Sequence, residues 1–337
     1  MSSLKSSRTL SIVVPCYNSE NTLTVLVPEL IAVASSVSSS FEVILVNDGS
    51  RDGTWQVIED LVSRFRQVRG IDLTKNFGQH NATLCGILQA QNEIIVTIDD
   101  DSQNPPGEIP RLIEKIEQGY EVVYGVPVNK QHGLIRKLGS FALRFILKVV
   151  GAKSSRGISS FRVLRSSLAR SLEDYYGNVV CIDVLFSWTT ENFATVAVTH
   201  RPRTRDVSSY TFLKLAKFAF DIILAYSSLP LKLIGLAGAF FVLCSFVLLF
   251  CSVIFLSLGA STMSLALFMI LSSVLLLGGL NLFGLGIVGE YLVRMHASAV
   301  RQPSFKIAQE VSQDSIPHRS AKIRQVESNQ GELVEVR

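Results

Sequence analysis

The first 125 residues alternate between short apolar runs and longer segments with helical periodicity. Runs such as LSIVVP, FEVILV and EIIVTI read as strands, and the segments between them as helices. This alternation predicts a parallel sheet covered by helices, the αβα layout of a Rossmann-like fold in the α/β class. The predicted strands are 10–15, 41–46, 68–73, 93–98 and 121–124, and the predicted helices are 21–37, 54–65, 79–89 and 110–118.

Polar loops follow four of the predicted strands, at residues 16–20, 47–52, 74–78 and 99–106. In an open α/β sheet such loops converge on one crevice at the carboxyl ends of the strands, so we expect a single ligand site. The last loop begins Asp99-Asp100-Asp101, directly after a buried strand. Clustered carboxylates in that position can hold a divalent cation, which indicates phosphate chemistry.

A long segment near the C-terminus carries no charged side chain: no Asp, Glu, Lys or Arg lies between Lys232 and Glu290. At about 20 residues per crossing, this length fits two membrane helices. The short polar stretch 257–264 (SLGASTMS) is the expected turn between them. The sequence therefore predicts a transmembrane hairpin with both ends on one side of the lipid bilayer.

These features divide the chain into five parts. A flexible N-terminus (1–9) precedes the α/β domain (10–210), and an amphipathic juxtamembrane helix (211–230) leads into the hairpin. A second amphipathic segment, 133–150, is expected to lie in the membrane interface. The hairpin spans 231–290, with helices at about 231–256 and 265–289, and a polar, partly disordered tail occupies 291–337.

Basic residues flank the uncharged segment on both sides, whereas its central turn has none. By the positive-inside rule, the α/β domain and both termini are expected in the cytoplasm, with the protein in the inner membrane. The basic side chains that set this orientation are Lys214, Lys217 and Lys232 before the segment and Arg294, Arg301 and Lys306 after it.

Charge and cysteine content exclude other classes. The net charge is only +4, its basic clusters lie beside candidate membrane contacts, and no nucleic-acid-binding module is visible, so we expect no nucleic-acid partner. The five cysteines show neither a pairing pattern nor metal-ligand spacing, which indicates reduced thiols. The sequence leaves the oligomeric state open, a homo-oligomer included.

Ordered motifs in the loops resemble a known family. The succession SIVVPCYNSE, ILVNDGSRDGT, LTKNFGQHNA and TIDDDSQNPP is similar to the GT-A domain of family 2 glycosyltransferases. YGVPVNKQHG, SSFRVLR, HRPRTRDVSSY and GEYLVR resemble the branch that acts on polyprenyl phosphates, such as dolichol-phosphate mannose synthase and bactoprenol glucosyltransferases. The resemblance implies inverting transfer of a sugar from a nucleoside diphosphate to undecaprenyl or dolichyl phosphate, for assembly of cell-surface glycans.

The resemblance also implies a donor site for a nucleotide sugar. Asp48 would accept a hydrogen bond from the imide of a pyrimidine base, which favours UDP or a similar donor, and Asp99 would approach the sugar or nucleoside. In many relatives a Glu directly follows Tyr-Asn, whereas here Ser19 intervenes before Glu20. The implied donor-binding residues are Pro15, Tyr17, Asn18, Glu20, Asp48, Asp99 and Asp100.

Asp99, Asp101 and Gln103 match the family's Asp-x-Asp-x-Gln pattern. In that pattern Asp101 and Gln103 would ligate Mg²⁺ or Mn²⁺ at the donor diphosphate, consistent with the preference of these ions for hard oxygen donors. The metal would stabilise the departing nucleoside diphosphate. The implied catalytic residues are Asp99, Asp101 and Arg203.

A basic group is implied to receive the acceptor phosphate. Its members are Arg136, Lys137, Arg201, Arg203, Arg205 and Ser208. Ser209 and Pro127 stand where some relatives have Lys and Arg, and an acid found in some relatives near 156–160 is missing. A phosphate monoester is already ionised at neutral pH, so its oxygen can attack without a dedicated base.

Two alternatives are weighed against this hypothesis. A processive polysaccharide synthase is disfavoured because the sequence lacks a Gln-x-x-Arg-Trp signature and two spans make a poor polymer channel. A catalytically inactive scaffold is disfavoured because Asp48, Asp99, Asp101, Gln103 and Arg203 are all retained. A Gly-x-Gly-x-x-Gly match at 284–289 lies in the uncharged segment with no preceding strand, so it is interpreted as a helix-packing motif.

Overall fold

A computed structural model describes residues 8–127, 157–173, 175, 180–201 and 303–313, together with individual helical residues between 270 and 295. The N-terminal half alternates strands and helices as the sequence predicts. Strand β1 (Thr9–Cys16) is followed by α1 (Leu23–Val37), β2 (Ser40–Asn47), α2 (Thr54–Arg64), β3 (Val68–Leu73), α3 (Gln79–Gln89) and β4 (Ile94–Thr97).

A short 3₁₀ turn (Pro106–Glu108) leads into α4 (Ile109–Glu117) and β5 (Val122–Pro127). The sequence analysis assigned no element beyond this point in the domain, and the structure adds four. They are β6 (Arg162–Arg165), α5 (Ser166–Arg170), α6 (Ile182–Thr189) and β7 (Phe193–Val198).

The strands form one mixed eight-stranded sheet in the order β7-β5-β6-β4-β1-β2-β3-β8, where β8 is Ile307–Val311. β1 pairs in parallel with both β2 and β4, and β2 pairs in parallel with β3. β6 runs antiparallel between β4 and β5. The predicted parallel sheet is therefore confirmed for its first four strands, whereas β6 and β8 make the whole sheet mixed.

Helices cover both faces of the sheet, because apolar side chains of the central strands point alternately to the two sides. Ile12 and Leu45 pack with α1, α2 and α4 in one buried cluster. Val13 and Ile44 pack with α3, α5 and α6 in a second cluster. This three-layer arrangement holds the strand ends, and hence the loops after them, in fixed positions.

Strand β8 comes from the tail, where the sequence analysis expected no element. It pairs antiparallel with β3 at the edge of the sheet. Arg69 of β3 bridges Glu310 of β8 (2.7 Å) and the buried Glu42 of β2 (2.6 Å). Chain segments on both sides of the uncharged stretch thus belong to the same sheet.

The uncharged segment itself lies almost entirely outside the described residues, as do the two amphipathic segments, 133–150 and 211–228. Within the described ranges, no helix combines the length and the apolar character needed to cross a bilayer.

The attachment of β8 can be tested with Arg69→Ala. Removing the guanidinium leaves the buried Glu42 with fewer hydrogen-bond donors, and it breaks the ion pair with Glu310. We expect a loss of about 2 kcal/mol, less than for a fully buried pair because Ser11 and the backbone N–H of Gln91 still donate to Glu42. This corresponds to a fall in Tm of roughly 4 to 8 °C.

Arg64→Ala is the matched control, because Arg64 pairs with Asp60 on the exposed face of α2. An exposed pair of this kind contributes less than about 1 kcal/mol, so the Tm should stay within roughly 2 °C of the unsubstituted chain. Equal effects of the two substitutions in thermal unfolding would show that Arg69 does not anchor β8.

Candidate functional site

The loops after β1 and β4 are joined by one carboxylate. Asp100 accepts a hydrogen bond from the backbone N–H of Tyr17 (3.1 Å) and another from the Ser19 hydroxyl. Tyr17 keeps 43% of its surface exposed, so its ring lies at the rim of the crevice. Asp100, predicted to bind the donor, thus serves in the structure as the tie that closes two loops onto each other.

The loop after β1 is also bonded to the loop after β2. Asn18 has a positive φ of 52°, and its side-chain oxygen accepts a hydrogen bond from the backbone N–H of Arg51 (2.9 Å). Glu20 accepts one from the N–H of Gly53 (2.8 Å). The predicted donor residues Asn18 and Glu20 are therefore brought into the crevice, where they shape its wall.

Asp48 holds the loop after β3 in place. Its two carboxylate oxygens accept hydrogen bonds from the backbone N–H groups of Phe77 (2.7 Å) and Gly78 (2.9 Å), just before α3 begins. Burial raises the pKa of Asp48, and these two hydrogen bonds oppose the rise. Each carboxylate oxygen can accept more than one hydrogen bond, so the group retains acceptor capacity for a ligand.

Gly49 permits this close approach of two loops. Its φ is +61°, a region that side chains other than glycine rarely adopt. A Cβ at this position would lie 2.5 Å from the backbone nitrogen of Asn76. The Asn-Asp-Gly sequence of the loop is thus required for the geometry around Asp48. Pro15, the remaining predicted donor residue, is buried in β1 beside Val46.

Both carboxylate oxygens of Asp99 are engaged in hydrogen bonds. Oδ1 accepts a hydrogen bond from Nε2 of Gln79 (2.6 Å), and Oδ2 accepts one from the hydroxyl of Ser160. The pKa of Asp99 is raised to about 6, chiefly by burial and also by the neighbouring Asp101 and Asp100. The Ser160 hydrogen bond and the charge of Arg162 act in the opposite direction.

Asp101 and Gln103 lie at the open end of the same loop. The backbone N–H of Gln103 donates to Oδ1 of Asp101 (3.1 Å), and Ser102 between them has a φ of 58°. The carbonyl of Gln103 accepts a hydrogen bond from the backbone N–H of Arg201 (2.8 Å). The guanidinium of Arg201 pairs with Glu29 of α1 (3.1 Å).

The donor set at this end fits a metal that is shared with a ligand. Within the described ranges, no group of three or more His, Cys, Asp or Glu side chains is arranged to hold a metal ion. Asp101 and Gln103 are both partly exposed and offer hard oxygen donors. Mg²⁺ commonly binds through one or two carboxylates, completed by substrate phosphates and water. These residues match that mode of binding.

Most of the predicted site lies within the described residues, around one crevice. These are the donor residues, Asp101, Gln103 and Arg201. The other predicted acceptor residues, Arg136, Lys137, Arg203, Arg205 and Ser208, lie outside the described residues.

The site has the order of strands, loops and acids that the resemblance predicted, and comparison with known proteins decides the family. The sequence model described as "Glycosyl transferase family 2" matches residues 11–169. Undecaprenyl-phosphate 4-deoxy-4-formamido-L-arabinose transferase of Pectobacterium carotovorum subsp. carotovorum (strain PC1) is 30% identical over 308 residues, which are 90% of this chain and 94% of the relative. The chain belongs to glycosyl transferase family 2.

One further relative agrees with this family 2 membership, and a solved structure agrees with the fold. The transferase of the same name from Pseudomonas paraeruginosa (strain DSM 24068 / PA7) is 31% identical over 301 residues, covering 88% of this chain and 89% of the relative. A mycobacterial protein of known crystal structure aligns with a TM-score of 0.50 at 17% identity, covering 65% of this chain and 74% of that one. The GT-A, Rossmann-like fold expected from the sequence is confirmed.

Sequence reasoning missed three residues of this family 2 site. Gln79, which bonds Asp99, lies in the quoted run LTKNFGQHNA, so its position after a strand was an available signal. Ser19 ties the first loop to Asp100. Ser160 is separated from Asp99 by 61 positions, and no local sequence pattern indicates that β6 pairs with β4.

Proposed function

We propose that this family 2 glycosyltransferase transfers a sugar, with inversion, from a nucleoside diphosphate to a membrane polyprenyl phosphate. The single observation that carries the proposal is similarity along about nine-tenths of the chain to transferases named for undecaprenyl phosphate. The crevice at the carboxyl ends of β1, β2, β3 and β4 supports it, because the same acids that the family pattern assigns to the donor meet there.

The donor end of the crevice suits a pyrimidine nucleotide such as UDP. Asp48 is anchored by two backbone N–H groups and faces the fixed loop before α3. Its remaining acceptor capacity would take the N–H of a base imide, and Tyr17 at the rim would cover the base. A base that lacks a donor at that position would forgo this hydrogen bond and therefore bind more weakly.

Asp101 and Gln103 would hold Mg²⁺ or Mn²⁺ against the donor diphosphate. The bound metal supplies Lewis-acid stabilisation of the departing nucleoside diphosphate. Asp99, held on both oxygens, would contact the nucleoside of the donor and so orient its sugar for attack. In the loop after β4, Asp99 would thus orient the donor, whereas Asp101 and Gln103 would help to stabilise charge.

The acceptor end is supplied by Arg136, Lys137, Arg201, Arg203, Arg205 and Ser208. Of these, Arg201 is fixed next to the metal loop by its hydrogen bond to Gln103. Arg203 follows Arg201 by two positions in the sequence. Positive charge beside the diphosphate would attract an acceptor phosphate, which brings its own ionised nucleophile.

The topology of the sheet supports the hairpin. The chain belongs to the sheet up to β7 and returns to it at β8, so any membrane crossings between them must be even in number. The uncharged residues 233–289 are long enough for two crossings of about 20 residues. We therefore retain two spans, with the domain, both termini and the basic flanks on the cytoplasmic side of the inner membrane.

Described residues near the end of the uncharged segment are consistent with contact with lipid. Those between 270 and 295 are helical, and several large apolar side chains are exposed there. The exposed side chains are Ile270, Val274, Val288, Leu292 and Met295.

The alternatives considered for the sequence are not favoured. The relatives that cover most of the chain are named as transferases that act on undecaprenyl phosphate, which favours neither a polymerising synthase nor an inactive scaffold.

The proposed reaction predicts a severe defect for Asp101→Asn. The substitution keeps the size of the side chain but removes the charge offered to the metal, so turnover should fall about a hundredfold or more. The assay supplies Mn²⁺, a panel of nucleotide sugars and undecaprenyl phosphate, and detects the glycosylated lipid by mass spectrometry.

Asp60→Asn, on the exposed face of α2, is the matched control and should retain full turnover. Near-normal turnover of a folded Asp101→Asn protein, or full activity of the unsubstituted chain in excess chelator, would contradict the metal assignment.

The hairpin predicts opposite labelling of two introduced cysteines. Ser261→Cys lies in the expected external turn and should react with a membrane-impermeant maleimide in intact cells. Ser35→Cys, exposed on α1, should react only after the cells are permeabilised. The unsubstituted chain gives the background from its own thiols. Equal labelling of both positions in intact cells would refute the two-span topology.

A further inference from the structure

Ser160 contacts Asp99 from outside the four loops. It ends the segment 157–160, just before β6, and its hydroxyl donates to Oδ2 of Asp99. Ser160 is not needed to form its own turn, because the backbone N–H of Phe161 donates to Ser159 instead (3.2 Å). The hydroxyl of Ser160 is thus directed at Asp99.

The backbone of Ser160 is fixed by two donors. Its carbonyl accepts a hydrogen bond from the hydroxyl of Thr97 (2.6 Å), at the end of β4, and a longer one from Nε of Arg162 (3.4 Å). Nε of Arg162 also donates to Oγ1 of Thr97 (3.2 Å). Thr97 and Arg162 are register partners of β4 and β6, so strand pairing sets this geometry.

A buried ion pair holds Arg162 in turn. Its guanidinium pairs with Asp183 of α6, and Asp183 also accepts a hydrogen bond from the hydroxyl of Tyr124 (2.9 Å). The guanidinium carbon lies 5.8 Å from the ring centroids of both Tyr124 and Phe186. Arg162 is 3% exposed and Asp183 is 7% exposed.

Burying an ion pair is a poor way to gain stability, since the loss of hydration offsets most of the attraction. The directional contacts of this pair instead fix the segment that carries Ser160. We propose that Ser160, held in place by the Arg162–Asp183 pair, is a positioning residue that orients Asp99 toward the nucleotide donor. The inference rests on the proposed function and extends it beyond the loops that the sequence identifies.

The test uses the full-length chain in detergent, with UDP in the presence of Mn²⁺ as the binding probe. Ser160→Ala removes the hydroxyl and nothing else. Loss of one hydrogen bond to a charged group should weaken Mn²⁺-dependent UDP binding about tenfold in calorimetry, with Tm unchanged within about 2 °C. Ser160→Thr restores a hydroxyl and should bind within about threefold of the unsubstituted chain.

Ser159→Ala is the matched control, because it removes a hydroxyl one position away that accepts a hydrogen bond from the backbone N–H of Phe161. Its UDP affinity should equal that of the unsubstituted chain. Equal affinity of Ser160→Ala, or an equal loss in Ser159→Ala, would overturn the positioning role.

Asp183→Asn tests the supporting pair. It should weaken UDP binding in the same direction as Ser160→Ala, and a double substitution with Ser160→Ala should add little further loss, since both act through one contact. Additive losses in the double variant would show that the pair affects UDP binding independently of Ser160, and its supporting role would be wrong.

The binding experiment distinguishes failure of the proposed function from failure of the positioning role of Ser160. If the unsubstituted chain shows no Mn²⁺-dependent binding of UDP, the proposed donor is wrong and the role of Ser160 falls with it. If that chain binds UDP and Ser160→Ala binds it equally well, only the positioning role is wrong. The Asp183→Asn variant does not decide this comparison, so the result stands even where that variant fails to fold.

Discussion

The site depends on one constraint, the in-register parallel pairing of β1 with β2 and β4. This pairing places Cys16 beside Asn47 and Val13 beside Thr97, so the loops that follow begin at the same edge of the sheet. Asp100 can then reach the backbone of Tyr17, although 83 positions separate them in sequence. A slip of one residue would turn every inward side chain outward and would separate these loops.

Acids at the two ends of the sheet have different surroundings. At the amino end, Glu42 is neutralised by Arg69 and by donors from neighbouring chain segments, which fits a purely structural role. At the carboxyl end, three consecutive acids meet with the pKa of Asp99 raised to about 6, chiefly by burial. Such an arrangement costs stability unless a cation or an oriented ligand joins it, and strongly shifted acids in a crevice are characteristic of functional sites.

Sequence patterns predicted the first half of the fold well, because β1 to β4 are apolar runs with helices between them. The strand 68–73 and the helix 79–89 have the predicted bounds. The strands after β5 were not predicted; β6, for example, has four residues and acquires its position only by pairing between β4 and β5. The acids of the site directly follow a predicted strand and could be named from sequence. Ser160 could not, because it reaches the site only through the pairing of β6. β8 was missed because its exposed, polar residues become a strand only through β3 and Arg69.

The central claim is that the bond between the anomeric carbon and the donor diphosphate is the one that breaks. The most direct test incubates the protein with Mn²⁺, undecaprenyl phosphate and the nucleotide sugar that it accepts, and measures the released nucleotide against the lipid product. The account predicts one nucleoside diphosphate for each sugar-bearing lipid, with a single phosphate on that lipid. Release of nucleoside monophosphate, with two phosphates on the lipid, would contradict it.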